Sequence, residues 1–150
     1  MELILWRHAD AEPGSPDLER RLTPKGLKQA ERVGEWLDGH LPERCRVLVS
    51  PAERAQQTAR ALKRRFRIVD ELAPGADAAT VLHAAGWPDG REAVLLVGHQ
   101  PALGQVAALL LSGRDSDWSV KKGAAWWLSN RKGDEDNDVV LRAVIGPDFV

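Results

Sequence analysis

Cysteine occurs once, at Cys45, so no internal disulfide can form, and a lone thiol of this kind fits a reducing compartment. Long apolar runs are missing too. The longest, Ala93 to Val97 and Val106 to Leu111, fall far short of the roughly 20 residues that cross a bilayer. Neither sign of charge is in excess: 21 basic side chains stand against 22 acidic ones, for a formal net charge of -1. That balance excludes the broad attraction that draws a protein to nucleic acid or to a membrane surface. No cleaved leader is expected, because the N-terminus reads directly into a strand without a basic segment or a full hydrophobic one. The composition therefore predicts a soluble, cytoplasmic protein.

What is present is enough apolar residue, 43% of 150, for one sizeable core and a single domain over residues 1–150. Glu2 to Trp6 is a short apolar run cut off by Arg7-His8, the pattern of a buried strand whose polar residues emerge at its carboxyl end. Thr23-Pro24 supplies an N-cap with proline at the first helical position, and Leu27, Ala30, Val33 and Leu37 follow at helical spacing as far as Gly39. Val47 to Val49 is a second strand. It runs into Ser50-Pro51-Ala52-Glu53, read as a capping box with proline at N1, and an inward stripe of Ala55, Ala59, Leu62 and Phe66 predicts a second helix. A third strand is predicted at Arg67 to Val69, then a loop and a modest helix through Ala78 to Ala85.

Ala93 to Val97 is the clearest strand, turned by Gly98-His99-Gln100-Pro101 into a helix that reaches Leu111 and stops at Ser112-Gly113. Gly123 to Leu128 and Val139 to Val144, joined by a charged turn over Arg131 to Asp138, predict a terminal pair of strands. The alternation of strands and helices predicts a three-layer α/β/α sandwich around a mostly parallel sheet. Such sheets bind ligands at the carboxyl ends of their strands.

Three of those ends carry polar groups: Arg7 and His8 from the first strand, Ser50 and Arg54 after the second, His99 after the fourth. Two guanidinium forks and two imidazoles beside helix N-termini suit a tetrahedral dianion, which makes a phosphoryl group the expected ligand. A cation such as Arg54 in the first turn of a helix is mildly unfavourable unless an anion sits beside it, which points the same way. Rival chemistries lack their motifs. Gly-x-x-x-x-Gly-Lys and Gly-x-Ser-x-Gly are absent, no Asp-x-Asp follows the first strand, and the residue six after Cys45 is Pro51 where a cysteine-based phosphatase needs arginine. Ser50 is explained by capping. His8, Asp10 and Glu12 alternate, yet no spaced cluster completes a metal shell. His40 and His83 have no chemical neighbours in the sequence. Trp126 and Trp127, two of six tryptophans, should point to opposite faces of their strand.

These residues resemble a known family. Arg7-His8-Ala9 is similar to the Arg-His-Gly mark of the histidine phosphatase superfamily, also called phosphoglycerate mutase-like. Ser50-Pro51 with Arg54 and Thr58 resembles its second mark, Gly98-His99 its third, and Leu22 to Gly26 an intervening one, so the similarity covers about residues 2 to 111. The short length and the segments Arg7 to Ala11 and Asp70 to Asp77 resemble the small SixA-type phosphohistidine phosphatases, which have no large helical insertion.

The resemblance implies that neutral His8 takes the phosphoryl group as a covalent phosphohistidine, one ring nitrogen attacking while the other donates to a carbonyl. Arg7, Arg54 and His99 would bind the phosphoryl oxygens with no metal and no cofactor, and Arg20 is a further candidate from the loop. Ala9 stands where the family has glycine, which requires a backbone outside the left-handed region. The insertion that carries the proton donor in larger members has little room here; Glu71 is the nearest candidate acid, with Asp77 and Asp10 behind it. A weak or missing acid favours phosphohistidine in a protein as substrate, since its protonated imidazole leaves unaided. The alternatives are a small phosphomonoester with Glu71 as acid, a silent phosphoprotein-binding domain, and a mutase, for which the short chain offers little lid.

Overall fold

The computed structural model describes residues 1–130 and 138–150. They are organised by one six-stranded sheet in the order β3-β2-β4-β1-β5-β6, with β1 Glu2–Arg7, β2 Cys45–Val49, β3 Arg67–Ile68, β4 Ala93–Gly98, β5 Ala125–Asn130 and β6 Val139–Ile145. The first four strands in that order are parallel; β5 pairs antiparallel with β1, and β6 pairs antiparallel with β5. Strands β1 and β4 are apolar on both faces because both faces are covered. On one face α1 (Pro24–His40) and α2 (Glu53–Arg60) bury Val33, Leu37, Ala55 and Ala59 against Ile4, Trp6, Val47 and Leu95. On the other, α3 (Ala78–Ala85) and α4 (Ala102–Ser112) bury Val81, Leu103 and Val106 against Leu3, Leu5 and Leu96. Each fully buried leucine or isoleucine stabilises by about 1.5–3 kcal/mol relative to exposure. This is the three-layer, mostly parallel architecture expected, with no large insertion between its elements.

The local signals worked where they were strongest. Thr23 caps α1 by accepting from the Gly26 amide at 2.9 Å, and Gly113, at φ 72°, ends α4. Trp126 and Trp127 do face opposite ways, Trp126 packing beside Trp118 on one side and Trp127 against Trp36 on the other.

Four expectations are corrected. Leu27 is exposed, because Gly26 takes the inward place on α1, where any Cβ would collide with the Asp10 carbonyl oxygen. The second helix begins at Glu53, with Ala52 at its N-cap and no side-chain cap, since the Ser50 oxygen is engaged elsewhere. That helix also ends at Arg60, before the predicted stripe is complete: Lys63 adopts φ 60°, and Phe66 packs only partly against the core from beyond the break. The fifth strand starts at Ala125 rather than Gly123, whose φ of 74° suits a turn and not a strand. The charged turn expected over Arg131 to Asp138 lies, apart from Asp138, outside the described residues.

Candidate functional site

The strand order puts the ends of β2, β4 and β1 side by side, so Ser50, His99 and His8 follow in adjacent positions along one edge of the sheet. The ladder extends past the strands to fix them: His8 N–H donates to Gly98 O at 3.1 Å and Ser50 N–H to Val97 O at 3.0 Å. The rings of His8 and His99 then lie 5.1 Å apart, tilted by 53°. A cleft of about 170 Å³ opens between Arg7, His8, Arg54 and His99, with Arg20, Lys122, Gln100, Ala11 and Pro74 completing its lining. A larger groove of about 530 Å³ lies beside the start of β1, lined by Trp36, Trp127 and Arg142 among others. Its one arginine is already bonded to Glu2, so it offers no comparable convergence of donors.

His8 is buried and its Nδ1 lies 2.8 Å from Ala9 O. A carbonyl can only accept, so the proton sits on Nδ1 and Nε2 keeps its lone pair. Burial, reinforced by the charges of Arg54, Arg7 and Arg20, pushes the His8 pKa down to about 4, against the opposing Ala9 hydrogen bond. The ring is therefore neutral near pH 7, the state a nitrogen nucleophile needs. Ala9 lies outside the left-handed region and is fully buried, and its N–H donates to Thr58 Oγ1 at 3.0 Å. Thr58 Oγ1 in turn donates to Arg54 O at 2.8 Å, which ties the His8 loop to the first turn of α2.

Arg7 donates through Nη1 to Val120 O at 2.9 Å, and Arg54 through Nη1 and Nη2 to the backbone and the carboxylate of Asp17 at 2.8 and 3.1 Å. Both arginines keep a buried Nε without a hydrogen-bond partner among the described residues. The anion beside Arg54 was expected to be a bound phosphoryl group, but Asp17, on a 3-10 turn at Asp17–Glu19, already supplies one, so the placing of Arg54 in the first turn of α2 does not by itself require a ligand. Burial, followed by the His8 and Arg54 charges, pushes His99 down to about 3; its Nε2 is 2.7 Å from Ser50 Oγ. Arg20 reaches the lining while bonded to Glu12 O and Asp17.

The candidates from sequence thus separate. Arg7, His8, Arg54, His99 and Arg20 converge on one cleft. Glu71 sits exposed on the 3-10 turn Asp70–Leu72 and is not part of the lining, which its neighbour Pro74 reaches instead. Asp77 caps α3, and Asp10 bonds Lys122 and Thr23. No carboxylate belongs to the cleft lining among the described residues, and no group of three or more metal-ligating side chains occurs among them either. Two residues were missed, Asp17 and Lys122. The loop before α1, rich in Pro and Gly, gives no pattern that pairs Asp17 with Arg54, and Lys122 meets Asp10 across 112 positions.

Comparison with known proteins agrees with this geometry. The profile of the histidine phosphatase superfamily (branch 1) matches residues 3–77. The chain is 33% identical over 131 residues to a phosphohistidine phosphatase SixA homolog of Haemophilus influenzae, covering 77% of this chain and 80% of that one. It is also 33% identical over 122 residues to phosphohistidine phosphatase SixA of Escherichia coli, covering 75% and 76%. A solved structure of the protein histidine phosphatase SixA complexed with tungstate superposes with a TM-score of 0.82 at 26% identity, over 99% of this chain and 98% of that one. The chain belongs to the histidine phosphatase superfamily, within its SixA-type branch. Its class is that of a phosphatase, an enzyme that removes phosphoryl groups.

Proposed function

We propose that this is a single-domain cytoplasmic phosphatase that hydrolyses phosphohistidine in a protein through a phosphoryl intermediate on His8. The observation that carries this reading is the His8 ring itself, with its proton committed to Ala9 O and its other nitrogen free, in a cleft lined by two arginines and a second histidine. In this reading Nε2 of His8 attacks phosphorus while Arg7, Arg54 and His99 hold the equatorial oxygens, and Arg20 adds charge at the mouth. Arg7 spends one N–H on Val120 O and Arg54 two on Asp17, and the Nη donors left over are the ones such oxygens would take. Water then hydrolyses the phosphohistidine formed on the enzyme. The positioned cations do the electrostatic work that a metal would otherwise do.

The substrate class follows from the leaving group. Among the described residues the cleft lining holds no carboxyl to protonate an alkoxide, whereas the imidazole of a phosphohistidine departs already protonated. The names of the Haemophilus and Escherichia relatives support the same substrate. Tungstate, held by the SixA of similar fold, is a tetrahedral oxyanion like phosphate. The half-buried single thiol of Cys45 suits the cytoplasm. The test is turnover, in the presence of a strong chelator, of a phosphohistidine-bearing protein against a panel of small sugar and aryl phosphates. Faster hydrolysis of the phosphohistidine protein is expected. Exclusive hydrolysis of small esters would replace this substrate, and activity that needs an added divalent cation would replace the mechanism.

A further inference from the structure

We propose that Lys122 is a substrate-binding residue of the cleft, keeping one N–H on Asp10 while offering another to the outward oxygen of the phosphoryl group; this rests on the phosphatase reading above. Lys122 lines the same cleft of about 170 Å³ as Arg7, His8, Arg54 and His99. At about 30 Å³ per water, that space holds roughly five or six waters, room for one phosphoryl group together with part of the group it leaves.

The backbone that carries Lys122 is fixed to the nucleophile. Gly123 N–H donates to His8 O at 3.1 Å, Trp6 Nε1 donates to Gly123 O at 3.0 Å, and Arg7 Nη1 donates to Val120 O at 2.9 Å. The ammonium is therefore presented from a segment registered on the end of β1. Its anchor is registered as well: Asp10 accepts from Lys122 Nζ through Oδ1 at 3.0 Å and from Thr23 Oγ1 through Oδ2 at 2.8 Å, and its N–H donates to Gln29 Oε1.

Position and donor supply assign the role. The side chain of Lys122 is 50% exposed and that of Arg54 5%, so Lys122 stands at the mouth, where an oxygen not met by the buried arginines would lie. Like the other cations of the lining, which spend part of their donors within the protein (Arg20 on Glu12 O and Asp17, Arg54 on Asp17 twice, Arg7 on Val120 O), Lys122 is held in place by a bond and keeps donors over. Lys122 has three N–H donors and one hydrogen bond, to Asp10, among the described residues. An exposed pair of this kind adds little to folding, which leaves the ammonium free to serve a ligand.

The test uses inorganic phosphate as the probe, titrated into the full chain by calorimetry, with turnover of a phosphohistidine protein measured in parallel. Lys122→Met should weaken phosphate binding about 10- to 100-fold, as expected for one charge-assisted hydrogen bond, and raise KM more than it lowers kcat. Lys122→Arg should restore most of the affinity, and Tm should stay unchanged in both variants. Phosphate binding by Lys122→Met equal to that of wild type overturns the proposal. So does a loss that Arg fails to restore even in part, or one that comes with a lowered Tm, because either marks a structural role. A wild-type chain that neither binds phosphate nor turns over phosphohistidine overturns the phosphatase reading itself, and this proposal with it.

Discussion

Ser50 Oγ and His99 Nε2 lie 2.7 Å apart, both buried, and join the end of β2 to the end of β4 across 49 positions of sequence. The Ser50 oxygen also accepts from the Ala52 amide at 3.2 Å, which leaves its own proton available for the imidazole. Ser50 thus sets the orientation of His99 where it lines the cleft. Ser50→Ala removes this partner from a buried nitrogen, at a cost of about 1–3 kcal/mol in stability. Urea unfolding should register that loss. Phosphate affinity should fall with it while the His8 to Ala9 bond persists, and a variant as stable and as active as wild type would show that His99 is oriented otherwise.

This contact also marks the limit of what the sequence tells. Ser50-Pro51-Ala52-Glu53 satisfies every local rule for a capping box, yet the serine oxygen serves a histidine on another strand, and Ala52 begins the helix uncapped. Local pattern sufficed where the partner was local, as at Thr23 or Gly113, and where repetition of strand, turn and helix set the fold class. It brought Arg7, His8, Arg54 and His99 together because each sits at or just after a strand end. It was silent on β4 lying between β1 and β2, on Asp17 meeting Arg54 and on Lys122 meeting Asp10, since those pairings are decided by packing between distant segments.

The low pKa values of His8 and His99, about 4 and about 3, carry a stability consequence. Both lie below the ordinary 6.5, so beneath that pH the unfolded chain binds protons that the folded one refuses. The stability these neutral rings permit is complete above about pH 6.5 and is lost as the pH falls towards 4 and then 3. At about 1.4 kcal/mol per pKa unit, the loss amounts to several kcal/mol on the order-of-magnitude scale. Urea midpoints should fall steadily below pH 6.5, and less steeply in His8→Asn. In NMR titrations the His8 and His99 ring protons should stay unshifted from pH 8 to about 5.5, and a midpoint near 6.5 for either would contradict the buried neutral state.

Glu71 stands outside the cleft lining, so Glu71→Gln should leave hydrolysis of a phosphohistidine protein within about twofold of wild type. A general acid is worth about 10²- to 10⁴-fold, and a loss of that size on phosphohistidine, with phosphate affinity intact, would make Glu71 catalytic and reverse the leaving-group argument.

The central claim is that His8 carries the phosphoryl group. Rapid acid-free quenching during turnover of a phosphohistidine protein, followed by mass spectrometry of the peptides, tests it most directly. One phosphoryl group on His8 is predicted, with none in His8→Ala, whose turnover should be abolished while its unfolding remains cooperative. Phosphorylation at any other residue, or near wild-type turnover by His8→Ala, would contradict the account.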